Sequence, residues 1–146
     1  MIDLQIINDF DNKLRLSDKL IDKIISKIII NESKYIKSRM SIIIVNDEYL
    51  RNLKIKYFNV DIFTDIITFN LSDDNKELDA EIYISWDRIN DNAKKYKQST
   101  NQELKRIIIH GCLHLMGFDD STKEEISEMR NKEKQYLDDL SCNIIL

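Results

Sequence analysis

Residues 17–45 read SDKLIDKIISKIIINESKYIKSRMSIIIV, and the spacing of their apolar side chains decides the fold class. Ser17 stands where a hydroxyl caps a helix over Asp18–Glu32. Within that helix Leu20, Ile21, Ile24, Ile25, Ile28 and Ile29 recur at i, i+1, i+4 and i+5, which makes one buried stripe. Ser41–Val45 is different: apolar residues run without a break from Ile42, and they are β-branched. A strand that faces water on one side alternates, so this run predicts a central strand.

Working outward, Leu4–Asn8 reads as a short strand before the first helix. After the central strand, Asn46 or Asp47 starts a helix to about Phe58. Asp65–Asn70 and Ala80–Ser85 read as two further strands, with the acidic turn Ser72-Asp73-Asp74-Asn75 between them. A helix follows over Asp87–Tyr96. Thr100-Asn101-Gln102-Glu103 has the form of a capping box and opens a helix with Leu104, Ile107, Ile108 and Leu115 on its apolar face. Gly117 ends it. A second capping box in Ser121-Thr122-Lys123-Glu124-Glu125 opens a last helix to about Leu140. The order β-α-β-α-β-β-α-α-α predicts an α+β domain, a small mixed sheet of about four strands covered by helices. With 146 residues, no internal repeat and no linker, residues 1–146 read as one domain.

Composition narrows the function classes. Hydrophobic residues are 42% and charged residues 33% of the chain, which is globular rather than disordered. The longest apolar run, Ile42–Val45, is far short of the roughly 20 residues of a membrane span, and no membrane partner is expected. The start Met1-Ile2-Asp3-Leu4-Gln5 has neither a basic nor an apolar stretch, which predicts no secretory signal. Two cysteines make no disulfide framework, and the expected location is the cytoplasm. The net charge of −4 disfavours indiscriminate binding to nucleic acid. Residues 31–60 nevertheless carry six bases against three acids, and residues 94–106 five against one. Either patch alone reads first as a solvated face.

The chain has two histidines, His110 and His114, on one helix. Four residues at about 100° each bring their side chains within about 40° of one another, a spacing that suits two imidazoles on one metal ion. Gly117 follows and lets the chain turn, so that Asp120 completes His-x-x-x-His-x-x-Gly-x-x-Asp. Two imidazoles and one carboxylate leave a coordination position for water, as in catalytic rather than structural zinc sites. The bland alternative is a pair of histidines without a metal, which the Gly turn and the acid disfavour. Asp119 is adjacent and competes with Asp120, or serves as a partner to a ligand histidine. Cys112 is two residues from His110, about 200° round the helix, and reads as a small buried hydrophobe. Metzincin proteases share the spacing but need Glu directly after the first histidine; Gly111 stands there, which argues against peptide hydrolysis.

His110-Gly-Cys-Leu-His114-Leu-Met-Gly-Phe-Asp-Asp120 resembles the motif H-G-x-L-H-L-x-G-[YF]-D-H of the YbeY family. Thr64-Asp-Ile-Ile-Thr-Phe69 is similar to that family's T-[DN]-V-L-S-F, and Ala80-Glu81-Ile82 with Tyr83-Ile84-Ser85 to its G-D-I-x-I-S strand. Glu103-Leu104, Met129-Arg130 and Glu133 also fit. The resemblance implies a cytoplasmic, zinc-dependent endoribonuclease that cuts single-stranded RNA. It further implies a role in 16S rRNA 3′-end maturation and ribosome quality control, with RNA and the ribosome as partners and no DNA. Carried over, His110, His114 and Asp120 are the metal ligands for one Zn²⁺ or another divalent ion, and His110 and His114 belong to the catalytic set. Glu81 is the one acid nominated as a base, against a structural role on its strand. Thr64 and Thr68 read as shaping the strand entry, with a role in the site as the alternative.

Two departures stand out. Asp120 replaces a third histidine, and a carboxylate is a harder donor with a different metal preference. Phe58 follows Tyr57 where the family commonly has Arg, which removes a phosphate clamp that Lys54, Lys56, Arg88 or Arg106 would have to replace. The rival expectations are a non-catalytic metal-containing module that binds the ribosome, and a metal-dependent hydrolase of another substrate.

Overall fold

The computed structural model describes residues 2–10, 13–139 and 141–146. Four strands, β1 (Ile2–Asn8), β2 (Lys37–Val45), β3 (Ile66–Asn70) and β4 (Glu77–Ser85), form one sheet in the order β1-β2-β4-β3. β1 and β4 each run parallel to β2, and β3 runs antiparallel to β4. The helices are α1 (Asp18–Glu32), α2 (Asp47–Phe58), α3 (Trp86–Lys95), α4 (Thr100–Leu115) and α5 (Lys123–Asp139). The α+β class and the mixed four-stranded sheet are as the sequence predicts.

The reason lies in β2. Met40, Ile42 and Ile44 enter the main core with the α1 stripe of Ile21, Ile24, Ile25, Ile28 and Ile29. Ile43 and Val45 point the other way, into a smaller core with Leu50 of α2 and Ile67 of β3. Both faces are covered, so every residue from Ile42 to Val45 is apolar. α4 enters the main core through Leu104, Ile107, Ile108, Ile109, Cys112 and Leu113, none more than 1% exposed.

Helix ends follow local chemistry. Ser17 Oγ accepts from the Leu20 amide at 3.2 Å, and Asn46 Oδ1 from that of Tyr49 at 2.8 Å, which makes Asn46 the cap of α2. Thr122 and Glu125 form a reciprocal box at the start of α5, with bonds of 2.9 and 3.1 Å. α4 differs from expectation. Its cap is Ser99, whose Oγ accepts from the Gln102 amide at 3.0 Å. Thr100 lies inside the helix and bonds Asn90, while Glu103 is drawn to Arg106 instead of back to the cap. α3 starts at Trp86 behind a Ser85 cap and ends one residue before Tyr96. β1, β2 and β4 begin earlier than their apolar runs, because their ladders extend to Ile2, Lys37 and Glu77. The expected end of the last helix at Leu140 lies outside the described residues; α5 is described to Asp139.

α4 lies close to β3 at Gly111. A methyl group built there would stand 2.6 Å from Ile66 Cδ1 and 3.3 Å from Thr68 Cγ2. Alanine is accommodated if the end of Ile66 swings aside, but a branched side chain has nowhere to go. Gly111→Val is therefore expected to lower stability by about 2 kcal/mol through overpacking. Urea denaturation measures it, and an unchanged midpoint would mean that helix and sheet have slack at this crossing.

Candidate metal centre

Beside its apolar face, α4 carries a polar stripe. Glu103, Arg106, His110 and His114 follow at spacings of three, four and four, so they lie in a row on one side. At the C-terminal end the chain reverses in a Schellman turn. The Phe118 amide bonds Leu113 O and the Gly117 amide bonds His114 O, each at 3.0 Å. Gly117 has φ +103°, a conformation that a side chain resists. This turn returns the chain along α4 and delivers Asp120 to the two imidazoles.

The three groups predicted from spacing meet. His110 Nε2 and His114 Nε2 are 3.0 Å apart, and Asp120 Oδ2 lies 3.5 Å from each. The His110 Nδ1–Glu133 carboxylate distance is 2.8 Å. A proton on Nδ1 then donates to Glu133 and leaves the Nε2 lone pair facing His114 and Asp120. A tetrahedral zinc with nitrogen and oxygen ligands at about 2.05 Å has ligand–ligand edges of about 3.3 Å. The observed triangle has nearly those edges, so the donor set fits one divalent cation with three protein ligands and a remaining open position. Asp119 is exposed and stands outside the group.

Behind His110 runs a chain of ion pairs. Glu133 also accepts from Arg106 Nη1 at 3.2 Å, and Arg106 reaches back to Glu103 with bonds of 2.8 and 2.9 Å. Glu133 is 6% exposed and Glu103 2%. Burial pushes the Glu133 carboxyl up, but His110 and Arg106 outweigh it and hold the group below its ordinary value. Arg106 is held even more firmly protonated than usual, first by its hydrogen bond to Glu103. The row of polar residues on α4 was the sequence signal for this arrangement. Glu133 is marked only by the family resemblance; its partnership with His110 has no local signal, since it comes from α5 and only the fold brings it under His110.

The group sits in a cleft of about 440 Å³, which Lys54, Phe58, Thr64, Asp65 and Thr68 also line. Burial raises the Asp65 carboxyl, against the pull of Arg106 and His110. In the sequence Asp65 stands out only as part of the Thr64–Phe69 motif; the fold puts it on the cleft wall. Of the four cations considered as replacements for the missing Arg, Lys54 lines this cleft. Arg88 is engaged by Asp47 and Asp91, and Arg106 by its two carboxylates. Glu81, the nominated base, is not brought to the group. It pairs with Phe69 across β3 and β4 and accepts from Tyr83 Oη at 3.2 Å. Its neighbour Ile82 points to Gly111, so Glu81 faces the opposite layer. Cys112 is fully buried among apolar side chains, and burial pushes its thiol up to about 12.

The family model described as "Endoribonuclease YbeY" matches residues 6–141. The chain belongs to the YbeY family. A protein named Endoribonuclease YbeY from Karelsulcia muelleri is 44% identical over 110 residues, covering 75% of this chain and 77% of its own length. One of the same name from Christiangramia forsetii is 42% identical over 113 residues, covering 77% and 78%. The solution structure of TM1509 from Thermotoga maritima covers 93% of this chain and 90% of its own, with a TM-score of 0.56 at 22% identity, a likeness of fold. The YbeY match takes in both histidines, Asp120 and Glu133.

Because Glu133 fixes the tautomer and orientation of His110, Glu133→Ala is expected to weaken divalent-metal affinity by about 10- to 100-fold. Chelator competition measures this, and affinity equal to wild type would show that His110 needs no such partner. In the native chain a thiol reagent should modify Cys142 quickly and Cys112 only on unfolding. Two fast thiols would contradict the burial of Cys112.

Proposed function

We propose that the chain is a metal-dependent endoribonuclease, with zinc as the ion and single-stranded RNA as the substrate. Its physiological substrate is the 3′ end of 16S rRNA on the ribosome, with a part in ribosome quality control, and its compartment is the cytoplasm. The observation that carries the reading is the triangle of His110 Nε2, His114 Nε2 and Asp120 Oδ2 lining the cleft. The activity named for the relatives supplies the substrate class. No helix among the described residues is long and apolar enough to cross a membrane.

A divalent ion held by these donors supplies Lewis acidity and a lowered pKa for water. The chain's residues do the rest. His110 and His114 present neutral imidazoles, and Asp120 adds the one negative charge of the donor set. Glu133 holds the His110 proton on Nδ1. Lys54 is placed to attract a phosphate that enters the cleft. Glu81 has no part in this scheme, because it lies across the sheet. The nucleophile is water or the ribose 2′-hydroxyl, and the ends of the product separate the two: only 2′-hydroxyl attack passes through a 2′,3′-cyclic phosphate. DNA is then a substrate only if water attacks.

A second reading, a non-catalytic module that docks on the ribosome, has Phe58 in its favour. That apolar side chain lines the cleft where the family resemblance places an Arg. The experiment that decides is cleavage of a labelled single-stranded RNA with a 16S-like 3′ tail, by the metal-loaded wild type beside His114→Ala. Cleavage by wild type, with a loss of at least about 1,000-fold in the variant, is expected if the metal generates the nucleophile or stabilises the charge. No cleavage by either, with binding to ribosomes retained, would favour the second reading. Asp120→Ala should lose the metal as well; full metal content in that variant would move the third ligand elsewhere.

A further inference from the structure

The end of α2 and the segment after it are unusually apolar for a surface. Tyr57, Phe58, Val60, Ile62 and Phe63 are between 41% and 56% exposed and lie within seven residues of sequence. An exposed patch of this kind marks an interaction site. Cations are threaded through it. Lys54 Nζ lies 4.6 Å from the centre of the Phe58 ring, Lys56 Nζ 5.2 Å from that of Tyr57, and the guanidinium of Arg51 5.5 Å from that of Phe63. Among the described residues no carboxylate pairs with Lys54 or Lys56, whereas Arg51 is held by Asp61. The rings are braced from below, since Phe58 stacks on Phe69 at 6.0 Å and Tyr57 meets it edge-on at 5.2 Å. Phe58 and Lys54 also line the cleft of His110, His114 and Asp120.

A protein partner's apolar face would be recognised by the rings but repelled by unpaired lysines. Unpaired nucleobases and their phosphates suit both: π-faces for the rings, negative charge for the ammonium groups. We propose that Phe58 and Phe63, with Lys54 and Lys56, form a stacking platform for the unpaired bases of single-stranded RNA beside the metal centre. This rests on the nuclease reading for its choice of substrate. Phe58 then replaces a charge contact to phosphate with a stacking contact to the neighbouring base, and Lys54 takes over the phosphate. Bases in a duplex are already stacked and cannot reach the rings, which gives the site a preference for single strands.

The test is binding of a fluorescent RNA of about twelve nucleotides to the full chain in EDTA, where nothing is cut. Phe58→Ala and Phe63→Ala should each weaken binding by at least about fivefold, and Phe58→Trp should restore it. An oligomer with abasic sites should bind weakly and be indifferent to Phe58→Ala. Lys54→Ala should flatten the dependence of log K on log salt by about 0.7. Phe58 and Phe63 are about half exposed and Lys54 is half-buried, so each variant should keep a cooperative melt within a few degrees of wild type. Binding within about twofold of wild type by both alanine variants overturns the proposal, as does a wild type that binds no RNA. Cleavage is scored separately: binding as described with no cleavage by the loaded protein removes the nuclease reading alone, and cleavage with silent alanine variants removes the platform alone.

Discussion

Helix α4 has to be a core helix and a site helix at once, and the missing side chain at Gly111 makes that compatible. The helix packs on β3 with Ile66 Cδ1 at the distance a methyl group would need for itself. That approach buries Ile107, Ile108 and Cys112 against the sheet, and it leaves His110 and His114 at the rim beside Thr64, Asp65 and Thr68. A helix with a branched side chain at 111 would stand off from β3, where His110 and His114 face the cleft.

The polar stripe on α4 makes sense only as a support for His110. Burying Arg106 between Glu103 and Glu133 is not a cheap source of stability, because desolvating such groups offsets most of their attraction. Removing Arg106 is another matter, since it leaves the buried Glu103 and Glu133 carboxylates without their shared counter-charge. The chain of pairs therefore fixes geometry more than it adds stability. Glu133 is anchored by Arg106, and His110 by Glu133, so the ring is set before any ion arrives. Two parts of one helix, the stripe and the apolar faces, thus carry separate tasks without interfering.

Local signals are legible wherever a residue's partner lies within a few positions along the chain. The α1 stripe, the Ser17 and Asn46 caps and the Thr122–Glu125 box all pair residues one turn apart. The approach of Asp120 to the histidines was legible for the same reason, since a helix and one glycine turn fix it. Partnerships between distant residues were not legible. Glu133 is 23 residues from His110, and nothing along the chain ties it there. Glu81 was misleading because an acid on a strand next to an apolar run looks available, and only the strand's register shows which layer it faces. Glu103 illustrates a competition: a capping role with Thr100 was chemically sound, but Arg106 three residues on is a stronger partner than an amide, and the cap passed to Ser99.

Phe58 joins these two levels. As a departure from the family's Arg it reads as a loss, because a planar cation that grips phosphate gives way to a ring that cannot. In the fold the ring lies on Phe69, under Lys54 and beside the histidines, so the position keeps a cation within reach and gains an aromatic face. Charge and stacking discriminate differently. Phosphate contacts are blind to whether a base is paired and weaken steeply with salt, whereas stacking demands an unpaired base and is far less sensitive to salt. In a chain with net charge −4, long-range attraction to RNA is weak to begin with. On the proposed platform, exchanging one charge contact for a stacking surface would cost this protein less than it would a basic one, and would move recognition from the backbone of the RNA to the exposure of its bases.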